Sequence, residues 1–177
     1  MTNFFKLAAV LTVLAAALAG SAKPQAAEAT ATERQQARKS MDDGNFKDAL
    51  AKFRELTLND ETGDSREVAE DFQRALNCLQ QLNEMSGIDA YREDVAAAHE
   101  TDWIILASIA QSYATIDHQG FMIAGEFRRG QHRGGGKVVN AVERDRVRSL
   151  QLYRQALDIV ADKPDAHSTT EARDLLS

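Results

Sequence analysis

Four basic side chains, Arg128, Arg129, Arg133 and Lys137, stand among glycines in the segment GEFRRGQHRGGGKVVNAVERDRVR, residues 125–148, of an otherwise acidic chain. Basic residues set among glycines suit a phosphate cradle, a nucleic-acid arm or a shaped loop. A phosphate-binding loop needs Gly, four residues, then Gly-Lys-Ser/Thr. Gly136-Lys137 fits its end, but Gln131 occupies the first position and Val138 replaces the hydroxyl that would hold magnesium. Arg-Gly clusters track single strands when aromatics interleave, and no aromatic lies between Arg128 and Lys137. The net charge of −6 also disfavours nucleic acid or an anionic membrane as partner of the whole domain.

Metal chemistry finds no better support. His99, His118, His132 and His167 have no ligand spacing, and a lone histidine is more often a surface residue. No nucleophile–base set or carboxylate pair stands out, so neither an enzyme nor a bound cofactor is expected. The remaining reading is a shaped, partly extended insertion over 117–140, folded onto a helical body. Phe121, Ile123, Gly125 and Phe127 alternate with Met122, Ala124 and Glu126, the period of a strand, and Lys137-Val138-Val139 reads as its return. Phe121 to Phe127 are expected to pack on the last long helix. Arg128, Arg129, His132, Arg133 and Lys137 are the candidate protein-partner surface, with Arg129, His132 and Arg133 expected at the surface.

The elements that must position this insertion are helices. Thr32 and Gln35 read as a capping pair opening a first helix that Gly44 closes, and Asn45 as the cap of a second. Phe46, Ala49, Leu50, Phe53 and Leu56 make one apolar stripe. Asp64 and Glu67 open a third helix, carrying Val68, Phe72, Ala75, Leu76, Leu79 and Leu82, which Gly87 ends. A short helix turns Ile88, Tyr91, Val95 and Ala98 inward. The next begins at Thr101; DWIILASIAQSYATI is apolar nearly all round, so it should lie centrally, with Trp103 buried. Asn140 and Glu143 cap a long helix with the stripe Val147, Leu150, Tyr153, Leu157 and Val160, and Ser168 and Glu171 read as the start of one more.

Repeated one-sided stripes with short turns describe helices that bury their faces only by stacking. GNFKDALAKF places Gly44, Phe46, Ala49 and Phe53 as a tetratricopeptide repeat does. Trp103 to Ala107 resemble the start of such a repeat's first helix, and SLQLYRQAL its second. The fold class expected is therefore all-α: a tetratricopeptide-like antiparallel solenoid over 32–177 with an extended or hairpin insertion.

Ahead of it, residues 7–19 form an uncharged apolar run after Lys6, too short to span a bilayer comfortably and followed by small residues. This reads as a signal peptide over 1–22, cleaved after Ala22 or as late as Ala27, with a polar linker over 23–31. The protein is then exported, periplasmic or extracellular, with no membrane anchor after cleavage. Cleavage removes Lys6 and no acid, so the mature chain is more acidic still. A single cysteine, Cys78, permits no intramolecular disulfide and sits in a helical pattern, as buried inert thiols do.

Together, the signal, the helix pair, Trp103-x2-Leu106 and the run GFMIAGEFRRGQHRGGGKVVNAVERDRVRSLQLYRQAL resemble the amino-terminal region of large bacterial alpha-2-macroglobulin-like proteins. The closest part covers 103–157. The resemblance implies the front module of a protease trap, an endopeptidase-inhibitor system whose partners are the further domains of a larger chain. The reactive Cys-x-Glu-Gln motif of many such proteins is absent, since Cys78 is followed by Leu-Gln-Gln, and no inhibitory residue carries over. The alternative is a free-standing periplasmic tetratricopeptide adaptor for envelope proteins or peptides.

Overall fold

A computed structural model describes residues 22–59 and 63–162 of the chain. Among them are six α-helices: α1 (Ala22–Asp42), α2 (Phe46–Leu58), α3 (Ser65–Gln81), α4 (Ile88–Ala98), α5 (Trp103–Thr115) and α6 (Val142–Asp162). Three short strands, β1 (Gln119–Ile123), β2 (Glu126–Arg129) and β3 (Lys137–Asn140), lie between α5 and α6. The chain is mostly helical, with one small sheet. No described helix is long and apolar enough to cross a membrane. The expected signal and the helix start at Ser168 fall outside the described residues.

Helix ends follow local chemistry where a side chain reaches an orphan amide. Asp64 caps α3 by accepting from the Arg66 amide, and Asp102 caps α5 by accepting from the amides of Ile104 and Ile105. The cap of α5 is therefore Asp102, one residue past Thr101. Two other expected boundaries move, and one expected cap bond is missing. The helix expected from Thr32 runs from Ala22, so the 23–31 linker is helical. The stretch is alanine-rich, and its proline, Pro24, lies in the first turn, where a missing amide costs no bond. Thr32 is thus mid-helix, its hydroxyl donating to the Glu28 carbonyl at 2.9 Å. Asn45 precedes α2 without a side-chain cap bond. At the far end of α3, the helix stops at Gln81 rather than at Gly87, because Asn83 turns into the left-handed region at φ 57° and a 3₁₀ turn, Met85–Gly87, intervenes.

The core is one continuous cluster. Ala49, Leu50, Phe53 and Leu56 of α2 meet Val68, Phe72, Ala75, Leu76 and Leu79 of α3. Ile88, Tyr91 and Val95 of α4 close over them. α5 lies against α3, α4 and α6 and buries Ile105, Leu106, Ile109, Ala110 and Tyr113, as its all-round apolar composition requires. Each large apolar side chain removed from water here contributes roughly 1.5–3 kcal/mol. Trp103, at the first turn of α5, is only half-buried and packs against the edge of the core.

Several side-chain bonds that join alternate helices fall at separations of 33 to 37 residues, while bonds between other helices range from 16 to 55. Arg34 of α1 donates to Glu67 and Asp71 of α3, 33 and 37 residues on. Ser65 of α3 bonds the α5 cap Asp102 at a separation of 37, and Gln73 bonds Ser108 at 35. Thr57 of α2 meets the Tyr91 hydroxyl of α4 at 2.7 Å, a separation of 34. α6 runs antiparallel to α5: Ser149 donates to the Ala110 carbonyl and Gln155 to the Glu100 carbonyl.

The inward face of α6 differs from the apolar stripe legible in its sequence. Asp145, Leu152, Ala156 and Val160 are buried, whereas Val147, Leu150 and Leu157 are 54%, 58% and 46% exposed. The burial direction is set by where α5 and the sheet sit. The last described helix therefore turns aliphatic side chains to its surface.

Candidate interaction surface on the glycine-rich sheet

β1 leaves α5 through Asp117, whose carboxylate accepts from the Gln119 amide at 3.0 Å. β1 pairs antiparallel with both others, in the order β2-β1-β3. The period-two run 121–127 is not one strand. Ala124 and Gly125, at φ 50° and 86°, form a two-residue hairpin turn whose positive dihedrals match the twist of the flanking strands. The turn reverses the alternation. Phe127 pairs with Met122, so it lies on the opposite face from Phe121 and Ile123.

One face of the sheet is fastened to the helices by charge. Arg129, on β2, has no exposed side-chain area. Its Nη2 donates to both carboxylate oxygens of Asp145 on α6 at 2.9 and 2.8 Å, and its Nε to Asp89 Oδ1 on α4 at 3.0 Å. Nη1 donates to the Asp117 carbonyl. Asp145, equally buried, also accepts from Arg144 at 2.8 Å and lies 2.8 Å from His118 Nδ1. Burial alone would raise the Asp145 carboxyl, but hydrogen bonds from His118, Arg144 and Arg129 outweigh it and hold the group below its ordinary value.

The network continues into α4 and α5. Arg92, fully buried, donates to the Ser112 hydroxyl and carbonyl and to Asp89, and its guanidinium lies 4.0 Å from the Tyr113 ring centroid. Arg144 stacks on Phe127 at 4.2 Å and reaches Asp89 at 2.6 Å. Beside it, Glu93 accepts from Arg148 and from the Tyr113 hydroxyl. The Arg148 bond is the first cause holding its carboxyl below the ordinary range. A shallow groove of about 490 Å³ between α4 and α6 is lined by Glu93, Tyr113, Arg144, Val147 and Arg148. Its charged groups are matched in pairs.

The close approach of β2 to the helices has a backbone requirement. Gly130 sits at φ 82°, and a Cβ there would lie 2.4 Å from Met85 Cβ in the 3₁₀ turn. Only glycine lets the strand end pass so near.

Arg129 is therefore removed from the candidate partner surface: it is 2% exposed. It sits on the strand face that meets Asp89 and Asp145, and an arginine there is stable only because its donors are matched. His132 is half-buried, its ring 5.8 Å from Phe121. Arg128, Arg133 and Lys137 are exposed. On the outer face, Arg128, Phe121 and Val138 form one row across the sheet, and Val138 is 64% exposed. Phe127, not Phe121, meets α6, through Arg144.

Asp89, Arg92, Arg144 and Asp145 carry no motif, and charges in ERDRVR read as a solvated helix face. One signal was available: Asp145 stands seven residues before Leu152 and eleven before Ala156, the spacing of a shared helical face. No protein-family model, curated protein or solved structure matches the chain.

Proposed function

We propose that the chain is a non-enzymatic interaction module whose basic sheet receives a protein partner. The observation that carries this reading is the division of labour within one strand. Arg129 is buried in a matched ion-pair network, while Arg128, its neighbour, stands exposed in a row with Phe121 and Val138. A rigidly mounted face that exposes an apolar residue beside cations fits a surface kept for another protein.

We read the helices as a tetratricopeptide-like solenoid. Bonds between alternate helices, α1 to α3, α2 to α4 and α3 to α5, at separations of 33 to 37 residues support this, since such repeats have a period of about 34 residues. The resemblance to macroglobulin-like chains makes following domains of a protease-inhibitor system the partner of this exported module. The alternative partner is a separate envelope protein held by a free-standing periplasmic adaptor.

A photo-crosslinking residue at Val138 in the full chain, expressed in a bacterial envelope, tests the surface. A discrete adduct is expected, weakened in Arg128→Glu with Arg133→Glu, while melting is unchanged. The adduct's peptides then decide between strand-rich domains of the same reading frame and an unrelated envelope protein. Equal adduct yield from a crosslinker at Asp48, an exposed position on α2, would remove the sheet from the reading.

A further inference from the structure

The sheet has two edges: β2 ends against the 3₁₀ turn at Gly130, and β3 forms an edge whose chemistry is specific. The Ala141 amide donates to the His118 carbonyl at 2.9 Å, and the Gly130 amide to the Gln119 carbonyl, also at 2.9 Å. Antiparallel pairing alternates, so odd residues of β1 bond β2 and even residues bond β3. On β3, Lys137 and Val139 therefore turn their backbone groups toward β1. Val138 and Asn140 turn theirs to the other side, where no described strand lies. An unpaired edge is a template for another strand unless it is covered or blunted.

We infer that the β3 edge takes an extended segment of alternating apolar and acidic residues from a partner protein as a fourth strand. This rests on the reading of the sheet as a partner surface and names the partner's chemistry. Main-chain bonds to Val138 and Asn140 supply the docking, as in other strand additions. Side chains supply the preference. Val138 is exposed on the outer face beside Phe121, so an apolar residue opposite it covers both. Lys137, on the other face, is exposed, so the adjoining partner residue meets a cation. The 126–140 segment carries Arg128, Arg133 and Lys137 at the surface against one acid, Glu126, which favours an acidic strand over a second copy's basic one.

The test uses the full chain and a fluorescein-labelled peptide of alternating glutamate and valine, with a lysine–valine counterpart. Saturable anisotropy is expected for the first peptide alone, with slowed exchange of the Val138 and Asn140 amides. Val138→Pro removes the outward amide but leaves the bonds to β1, because its donor points away from them. It should weaken binding at least tenfold, as should Lys137→Glu, while Val138→Thr retains it. Equal binding of both peptides, unchanged affinity in Val138→Pro, or no change in amide exchange would overturn the edge. So would protection that appears without peptide and rises with protein concentration, which marks pairing of two copies. If the edge fails while the Val138 crosslink still depends on Arg128, the outer face remains the partner surface; if both fail, the surface itself is wrong.

Discussion

Arg129 and Asp145, 16 residues apart in sequence, form an ion pair in which neither side chain retains exposed area. The pair joins the second strand of the sheet to the first turns of α6, and Asp89 ties the same arginine to α4. It thus ties β2 to two helices, α4 and α6. Breaking such a pair leaves its partner charged and buried. Arg129→Met is expected to cost about 3–5 kcal/mol in urea or thermal unfolding. Arg133→Met, at an exposed position, should stay within about 0.5 kcal/mol. Equal, small effects would show that the sheet is not held by this network.

The same pair predicts a pH dependence. The folded state holds the Asp145 carboxyl below its ordinary value. Its contribution is therefore complete above the unfolded pKa of about 3.9 and is lost as pH falls through the lower folded value. Wild type should exceed Asp145→Asn in stability at neutral pH, and the gap should narrow below about pH 4 as the native carboxyl protonates. A gap that is constant from neutral to strongly acidic pH would count against a charged Asp145.

Gly130 tests the close packing of β2 on the 3₁₀ turn. Gly130→Ala adds a methyl 2.4 Å from Met85 Cβ at a left-handed backbone position. The expected cost is about 2–4 kcal/mol, from overpacking and backbone strain together. Gly125→Ala, with open space around it at φ 86°, should incur only the backbone part, about 1–2 kcal/mol. In a Met85→Gly background, which lacks the opposing Cβ, the Gly130→Ala loss should shrink and the Gly125→Ala loss should not. Recovery in neither would remove the steric account.

α6 separates two readings of its own periodicity. Leu152 is fully buried and Leu150 is 58% exposed. Leu152→Ala should cost about 2–5 kcal/mol, and Leu150→Ala less than about 0.5 kcal/mol. Melting curves of the two variants check this directly; the reverse order would mean that α6 is rotated about its axis.

Much of the helical body was legible because local and tertiary demands agree there. Phe53, Leu56, Phe72 and Leu79 recur at helical spacing and have no other place to go than a shared core. Asp64 announced its helix by a side chain that satisfies its own chain's amides. The central position of α5 followed from a composition that leaves no polar face.

What failed were features that depend on what lies opposite. The apolar residues of α6 fall on more than one flank, and only the position of α5 selects Leu152 over Leu150. The strand period over 121–127 cannot reveal a turn at Ala124, since nothing in an alanine announces a left-handed dihedral. Arg129 is chemically the same as its neighbours Arg128 and Arg133. Alternation along β2 puts Arg128 on the outer face and Arg129 on the inner, but that choice has meaning only once Asp89 and Asp145 stand on the inner side. The sequence by itself determined most of the helices, the apolar faces of α2 to α5 and an unusual basic, glycine-rich interruption. The tertiary structure alone decided which arginine became the buried fastener, because a buried charge is stable only where distant segments bring its counter-charges within hydrogen-bond reach.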